Sequence, residues 1–404
     1  MDCLDGRLVK KRVNSHTPAR RIKMELMDLT FNEQQQIMLT GARDFVEKEC
    51  PTSLVREMET SEDGYSRELW MKMAQLGWTG IMFPEKYGGM GGNSVDAMIL
   101  YEAMGRALLP SPHLPTVTLC GLTISSIGSE EQKSDLLPRI AKGEVIMALA
   151  MLEPPDVSYD PSSILLQAVP EGDEYIISGT KLFVTYAHVA DWLLCIARTR
   201  QGKAAQGGIT VFLVDAKASG ISYSPMPVIS GEKQYEVVFD KVRVAKRNIV
   251  GKLHQGWSSL HRVLLQATVL QCAEIVGACS KVHEMAIQHA KDRVQFGDPI
   301  GVNQGIQFKC ADMGVRITFS RLLTHVAAAA LTDGELGLRE VAAAKTYTSD
   351  TASFVAYEGH QVFSGIGYVQ EHDMQLFSRR LRAWQYSLGD ASYHRELYAQ
   401  AIEL

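Results

Sequence analysis

The sequence has no long apolar run, no closely spaced cysteine pair and no strong excess of charge of either sign. No run of about 18 apolar residues stands out, so nothing argues for a membrane span. The formal net charge is −5 over 404 residues, and with no basic imbalance nucleic-acid binding is not expected. The seven cysteines are Cys3, Cys50, Cys120, Cys195, Cys272, Cys279 and Cys310. They are scattered and odd in number, and none sits in CxxC spacing. Reduced thiols in a cytoplasmic-type compartment are expected, and a metal site is not.

The N-terminal stretch MDCLDGRLVKKRVNSHTPARRIKMEL has no acidic residue between Asp5 and Glu25. It also lacks the apolar core of a secretory signal. Its composition is weakly like a transit peptide, which would imply a mitochondrial matrix location. A disordered extension, an early start codon or a remnant of cloning explains it equally well. Residues 1–26 are therefore set apart from the fold.

What is present is an ordinary globular composition. Hydrophobic residues make up 46% and charged residues 22%, over a length that suits two or three domains. The chain sorts into three blocks. Residues 27–146 read as helical. Thr30 is the expected cap of a first helix with apolar positions Ile37, Met38, Ala42, Phe45 and Val46. A second helix is expected near 66–76. GIMFPEKYGGMGGN (80–93) reads as a glycine-rich connector, because its glycines do not fit GxGxxG and no βαβ unit surrounds them. Asn93 or Ser94 then caps SVDAMILYEAMGRALL.

Residues 147–252 read as strands. EYIISGTKLFVTYA, DWLLCIARTR, GGITVFLVDA and KQYEVVFDKVRVA are rich in β-branched and aromatic residues and are separated by turn residues. In the last of these, Tyr235, Val237 and Phe239 share a face. A small antiparallel barrel or sandwich is expected. Residues 253–404 return to helix. The first helix runs more than thirty residues with a single glycine, Gly277, which suits a bundle core or a subunit interface. Further helices are expected at 303–332, 338–363, 371–386 and beyond 390. The fold class is thus α+β: helices, a β domain, then a four-helix-bundle-like domain.

Five segments, in this order, resemble the acyl-CoA dehydrogenase family. They are PEKYGGMGG followed by ILYEAMGR, then ALAMLEPPDVSYDP, GTKLFVTYAHVADW, DRVQFGDPIG and QVFSGIGYVQEHD. The resemblance covers essentially residues 28–404. It implies an FAD flavoprotein that oxidises an acyl-CoA thioester between Cα and Cβ. An electron-transfer flavoprotein, or alternatively oxygen, is the implied acceptor. A homo- or hetero-oligomer, dimer or tetramer, is implied as well.

By the same resemblance, Met151 and Leu152 lie along the isoalloxazine, Phe183 stacks near it, and Thr185 sits near N5 and O4. Arg293, Gln295 and Phe296, with Gln361 and Gly365, are expected to reach the FAD of a neighbouring subunit. Ser158 is the best match to a serine that touches the CoA portion, in a loop that carries an extra proline and lacks the usual glycine. For each of these a plainer reading exists: Phe183 and Leu152 as core, Arg293 as a helix C-terminal charge.

The stretch RRLRAWQYSLGDASYHRE (379–396) departs from the family. Its corner commonly carries Glu-Gly-Thr, the Glu being the α-proton base, and here that Glu aligns with Leu388. The alternative base position on the long helix aligns with Ala267. Glu274 lies seven residues on, about 10 Å along a helix, and reads as far for a substitute. Asp390 is the carboxylate of the corner, either as base or as a helix N-cap. Two further readings stay open. In one, the chain is a subunit of a heteromeric enzyme whose partner carries the glutamate. In the other, the fold serves different flavin chemistry or non-catalytic binding.

Overall fold

A computed structural model describes residues 29–202, 204–332 and 337–403; the basic N-terminal extension lies outside the described residues. The first block folds as α1 (Glu33–Glu49), α2 (Thr52–Thr60), α3 (Arg67–Gln75), α4 (Ser94–Arg106), a π-helical turn Leu114–Gly121 running into α5 (Leu122–Ile127), and α6 (Glu130–Ala141). The cap of α1 is Asn32, not Thr30. Its side chain accepts from the Gln35 N–H, and the Gln35 side chain accepts from the Asn32 N–H. This reciprocal pair satisfies two end donors that Thr30 is too far upstream to reach. Ile37, expected on the apolar face, is 68% exposed. The glycine-rich connector folds on itself: Met90, Gly91 and Gly92 donate backbone N–H bonds to Gly80, Phe83 and Ile81. Asn93 caps α4.

The middle block is one sheet built from β1 (Met147–Ala150), β2 (Gln167–Glu171), β3 (Glu174–Thr185), β4 (Trp192–Arg198), β5 (Ile209–Asp215), β6 (Ile221–Met226), β7 (Gln234–Ala245) and β8 (Ile249–Val250). The order is β6-β7-β3-β2-β4-β5-β8, and β1 also pairs with β4. It is mixed rather than wholly antiparallel. β2 meets β4 only at Gln167–Arg198, in parallel, so the edge at 192–195 is left for β1, also in parallel.

Two irregularities matter. The alternation in β7 slips after Phe239, where Lys241 takes φ 52° and donates its N–H to the Ser178 hydroxyl. In β3 the register with β7 shifts between Lys181 and Val184, and Phe183 takes φ 54°.

The last block holds α7 (Trp257–Asp292), a two-stranded turn β9 (Val294–Gln295) and β10 (Asp298–Pro299), α8 (Gln304–Thr332), α9 (Leu338–Phe363), α10 (Asp373–Trp384) and α11 (Ala391–Ala401). α7 contains an 18-residue window of mean hydropathy 1.5, enough by length and composition for a membrane span, and 89% of that window is buried inside the protein. It is the core helix of the bundle and packs on α4, α8 and α9. Gly105 and Gly277 let α4 and α7 touch. A Cβ at Gly105 would come within 2.0 Å of the Glu274 carbonyl oxygen, and one at Gly277 within 2.0 Å of the Glu102 carbonyl oxygen. One apolar core joins the N-terminal helices to the bundle. A second lies at the junction of all three blocks and includes Met151, Tyr186, Ala267 and Leu388.

Candidate functional site

The junction core encloses a cavity whose walls come from all three blocks. It has an inner and an outer chamber that share Leu152, Tyr159, Phe183, Thr185, Gln234, Ala383 and Ser387. The irregularity in β3 explains Phe183. A bulge tips its ring out of the regular alternation and toward the cavity, while Lys181, two residues earlier, stays fully buried.

Lys181 spends all three donors there. Its Nζ donates to the Met151 carbonyl (3.0 Å), the Ile196 carbonyl (2.6 Å) and Glu153 Oε1 (2.6 Å). Glu153 Oε2 accepts from the Leu165 and Leu166 N–H groups. A buried charge pair with all three ammonium protons and both carboxylate oxygens engaged holds its geometry. Here it fixes the segment Met151–Glu153, and the Leu182 N–H to Leu152 carbonyl bond of 2.8 Å completes the clamp.

The opposite wall is the corner between α10 and α11. α9 satisfies the open carbonyl end of α10: Lys345 Nζ donates to the Trp384 carbonyl (2.7 Å) and Ser349 Oγ to the Gln385 carbonyl (3.2 Å). Burial pushes the Lys345 ammonium down to about 8. The chain then turns through Leu388 (φ 59°) and Gly389 (φ 94°). Gly389 is required twice over, by that φ and because a Cβ would lie 2.4 Å from the Tyr393 ring. The Leu388 carbonyl accepts from His394 Nε2 (2.9 Å), and burial pushes His394 down to about 4. Leu388 is 5% exposed and lines the inner chamber. Asp390 takes the cap reading directly, since its Oδ1 accepts from the Tyr393 N–H at 2.8 Å. Asp390 also lines the outer chamber, with Ser158, Phe183 and Thr185.

The inner chamber holds two more carboxyls. Glu232 faces Arg380 Nη1 at 3.3 Å and Trp384 Nε1 at 3.4 Å. Glu274 accepts from Gln271 Nε2 at 2.6 Å and, among the described residues, forms no ion pair. Burial first, then the Glu232 charge, raises Glu274 to about 8. Along α7, Glu274 lies about two helical turns beyond Ala267. The cavity follows α7 inward, so Leu388 and Glu274 line one chamber. The signal in the sequence is that Glu274 is the one charged residue between Val263 and Cys279 of α7, with Gln271 three residues before it on the same face. His113, also on this wall, is a satisfied core histidine: Nε2–H donates to the Trp78 carbonyl (3.0 Å) and Nδ1 accepts from the Tyr101 hydroxyl (2.8 Å).

The remaining expected residues lie elsewhere. Arg293, Gln295 and Phe296 sit on the exposed β9–β10 turn, and Gln361 and Gly365 are exposed at the end of α9.

Three family models match in sequence: the acyl-CoA dehydrogenase N-terminal domain over residues 32–144, the middle domain over 148–242 and the C-terminal domain over 254–403. The chain belongs to the acyl-CoA dehydrogenase family. Curated relatives include the 3-(aryl)acrylate reductase of Clostridium sporogenes, 31% identical over 87% of this chain and 94% of that one. The cyclohex-1-ene-1-carbonyl-CoA dehydrogenase of Geobacter metallireducens is 32% identical over 92% and 98%. Among solved structures, butyryl-CoA dehydrogenase from Megasphaera elsdenii superposes with a TM-score of 0.86 at 29% identity, covering 94% of this chain and 100% of that one.

Acyl-CoA dehydrogenases are FAD-binding flavoproteins, and the residues present suit that group. Leu152 and Phe183 form an apolar wall for a flat ring system, Thr185 adds a hydroxyl, and the clamp on Met151–Glu153 keeps the wall in place.

Proposed function

We propose that this chain oxidises an acyl-CoA thioester at its Cα–Cβ bond with FAD, or runs the reverse reduction. The observation that carries this reading is the single cavity walled by the Phe183 bulge on one side and the Ser387–Asp390 corner on the other. FAD, when bound, supplies the hydride acceptor. The chain's own residues align the thioester, exclude water and manage the α-proton.

Leu388 stands where the family commonly has its glutamate and cannot accept a proton. Asp390 takes that role in our reading: the helix cap uses only Oδ1, and the residue lines the same outer chamber as Phe183 and Thr185. Ser158 lies on the same outer wall and suits a contact with the CoA portion. The exposed Arg293, Gln295, Phe296, Gln361 and Gly365 suit the FAD of a second subunit, Arg293 as a paired donor to a pyrophosphate. The exposed apolar residues Phe308, Val315, Phe319 and Leu322 of α8 suit the interface that such sharing needs. The acceptor in this reading is an electron-transfer flavoprotein.

Leu388 also supports a second reading, in which a related partner chain carries the base. Anaerobic titration with acyl-CoAs distinguishes the two. Bleaching of the flavin band by the chain alone, abolished by Asp390→Asn, supports Asp390. Asparagine caps a helix as well as aspartate does, so the fold is spared. Bleaching only after a partner is added supports the heteromer. A purified chain without flavin overturns the homomeric enzyme.

A further inference from the structure

The two chambers meet at Phe183, Thr185 and Ser387, so the reacting carbons lie at that junction if the chain handles acyl-CoA as proposed above. Everything deeper in the inner chamber then faces the remote part of the acyl group. That wall is mixed: Met104, Leu109 and Leu119 are apolar, while His113 and Glu232 are polar and already partnered within the protein. Gln271 and Glu274 project into it from successive turns of α7, and their side chains bond only to each other, at 2.6 Å, among the described residues.

Apart from the bond between them, no side-chain hydrogen bond or ion pair ties this pair to the rest of the fold among the described residues. Glu274 has no ion-pair partner among the described residues, and the charged groups near it are Glu232 and Arg380, which face each other, and Lys345, which donates to the Trp384 carbonyl. A plain alkyl chain filling the chamber would seal a polar carboxyl against methylenes. That costs free energy unless the ligand supplies a hydrogen bond. An acyl group with an oxygen substituent beyond Cβ supplies one.

We propose that the Gln271–Glu274 pair is a recognition site at the inner end of the acyl chamber, selecting acyl-CoA thioesters that carry a hydroxyl or carbonyl oxygen beyond Cβ over unsubstituted aliphatic ones. Glu274 contributes a hydrogen bond to that oxygen, and Gln271 holds the carboxyl in place. A site built to hydrogen-bond a substrate group discriminates strongly against the analogue that lacks it, because its own polar atoms are then left unpaired.

The test uses enoyl-CoA products, which bind the oxidised holoprotein without turnover. Calorimetry compares crotonyl-CoA with 4-hydroxybut-2-enoyl-CoA, and pent-2-enoyl-CoA with its 5-hydroxy counterpart. The hydroxylated member of at least one pair is expected to bind about 10-fold tighter to the unaltered protein. Glu274→Gln keeps most of that preference and Glu274→Leu loses it. Equal binding of both members in both pairs leaves the acyl-CoA reading intact and overturns this inference alone. If no thioester binds, the acyl-CoA reading falls and the inference with it. If Glu274→Gln binds normally but its anaerobic flavin bleaching by butyryl-CoA drops by a factor of 100 or more, on the order of a lost general base, Glu274 is a proton-transfer residue and the recognition role is overturned. Should Glu274→Leu fail to fold, the unaltered protein's preference and the glutamine variant still decide.

Discussion

Lys181 Nζ lies 2.6 Å from Glu153 Oε1, with Lys181 wholly buried and Glu153 nearly so. The pair joins the bulged strand that presents Phe183 to the segment that presents Met151 and Leu152. Removing one partner leaves the other charge buried and uncompensated, which costs about 3–5 kcal/mol. Lys181→Met is therefore expected to lower stability by about that amount in chemical denaturation. The purified variant is also expected to retain less flavin, read as the ratio of visible to ultraviolet absorbance. Unchanged flavin content would separate the clamp from the cofactor wall.

Leu388 is buried and faces the inner chamber from the corner that meets the outer one. Leu388→Glu places a carboxyl where the chain has none. A general base contributes about 100- to 10,000-fold, so anaerobic flavin reduction by a bound acyl-CoA is expected to accelerate by about 10-fold or more. The variant is expected to be less stable by about 1–3 kcal/mol, the cost of a polar group in an apolar wall. An unchanged or slower reduction, with the thioester still bound, would mean that position 388 is not where the proton is taken, and that Asp390 or a partner chain already supplies the base.

Glu274 also leaves a mark on stability against pH. Its carboxyl is raised from 4.5 to about 8 by burial and by Glu232. The folded state therefore holds this proton more tightly than the unfolded chain does. Its contribution is fully present below pH 4.5 and is lost as the pH rises through about 8. Glu274→Gln lacks that dependence. The melting temperature of the variant minus that of the unaltered protein is expected to rise between about pH 5 and about pH 9, on the linkage of folding to this proton. A difference that stays flat across the range would show that Glu274 is not protonated in the folded protein.

The fourth prediction concerns assembly. Phe319 and Leu322 are 51% and 46% exposed on α8. Charge at an apolar interface opposes association. Phe319→Glu with Leu322→Glu is expected to shift the protein to a smaller species in light scattering and to lower its flavin content together. Dissociation with flavin retained would place the whole cofactor site within one subunit.

The succession of helices, strands and helices follows from patterns local in sequence: period 3.6 in one block, β-branched alternation in the next. The helix near 66–76, the cap at Asn93 and the long Trp257–Asp292 helix were legible for that reason. Local patterns failed where neighbours in space decide. Asn32 displaced Thr30 because Gln35 could answer it. The mixed sheet arises because β2 leaves part of the β4 edge open to β1. The bulge at Phe183 depends on pairing with β7, and period-two alternation carries no trace of it.

The site divides along the same line. Local sequence shows that leucine stands at 388, that Asp390 follows two residues later, and that apolar Leu152 and Phe183 come with the hydroxyl-bearing Thr185. Only the tertiary structure decided that Asp390 caps α11 while lining the outer chamber. It alone put Glu274 in the same chamber as Leu388. Distance along a helix is a poor guide to sharing a cavity, because a cavity can run beside the helix and gather residues from every turn that faces it.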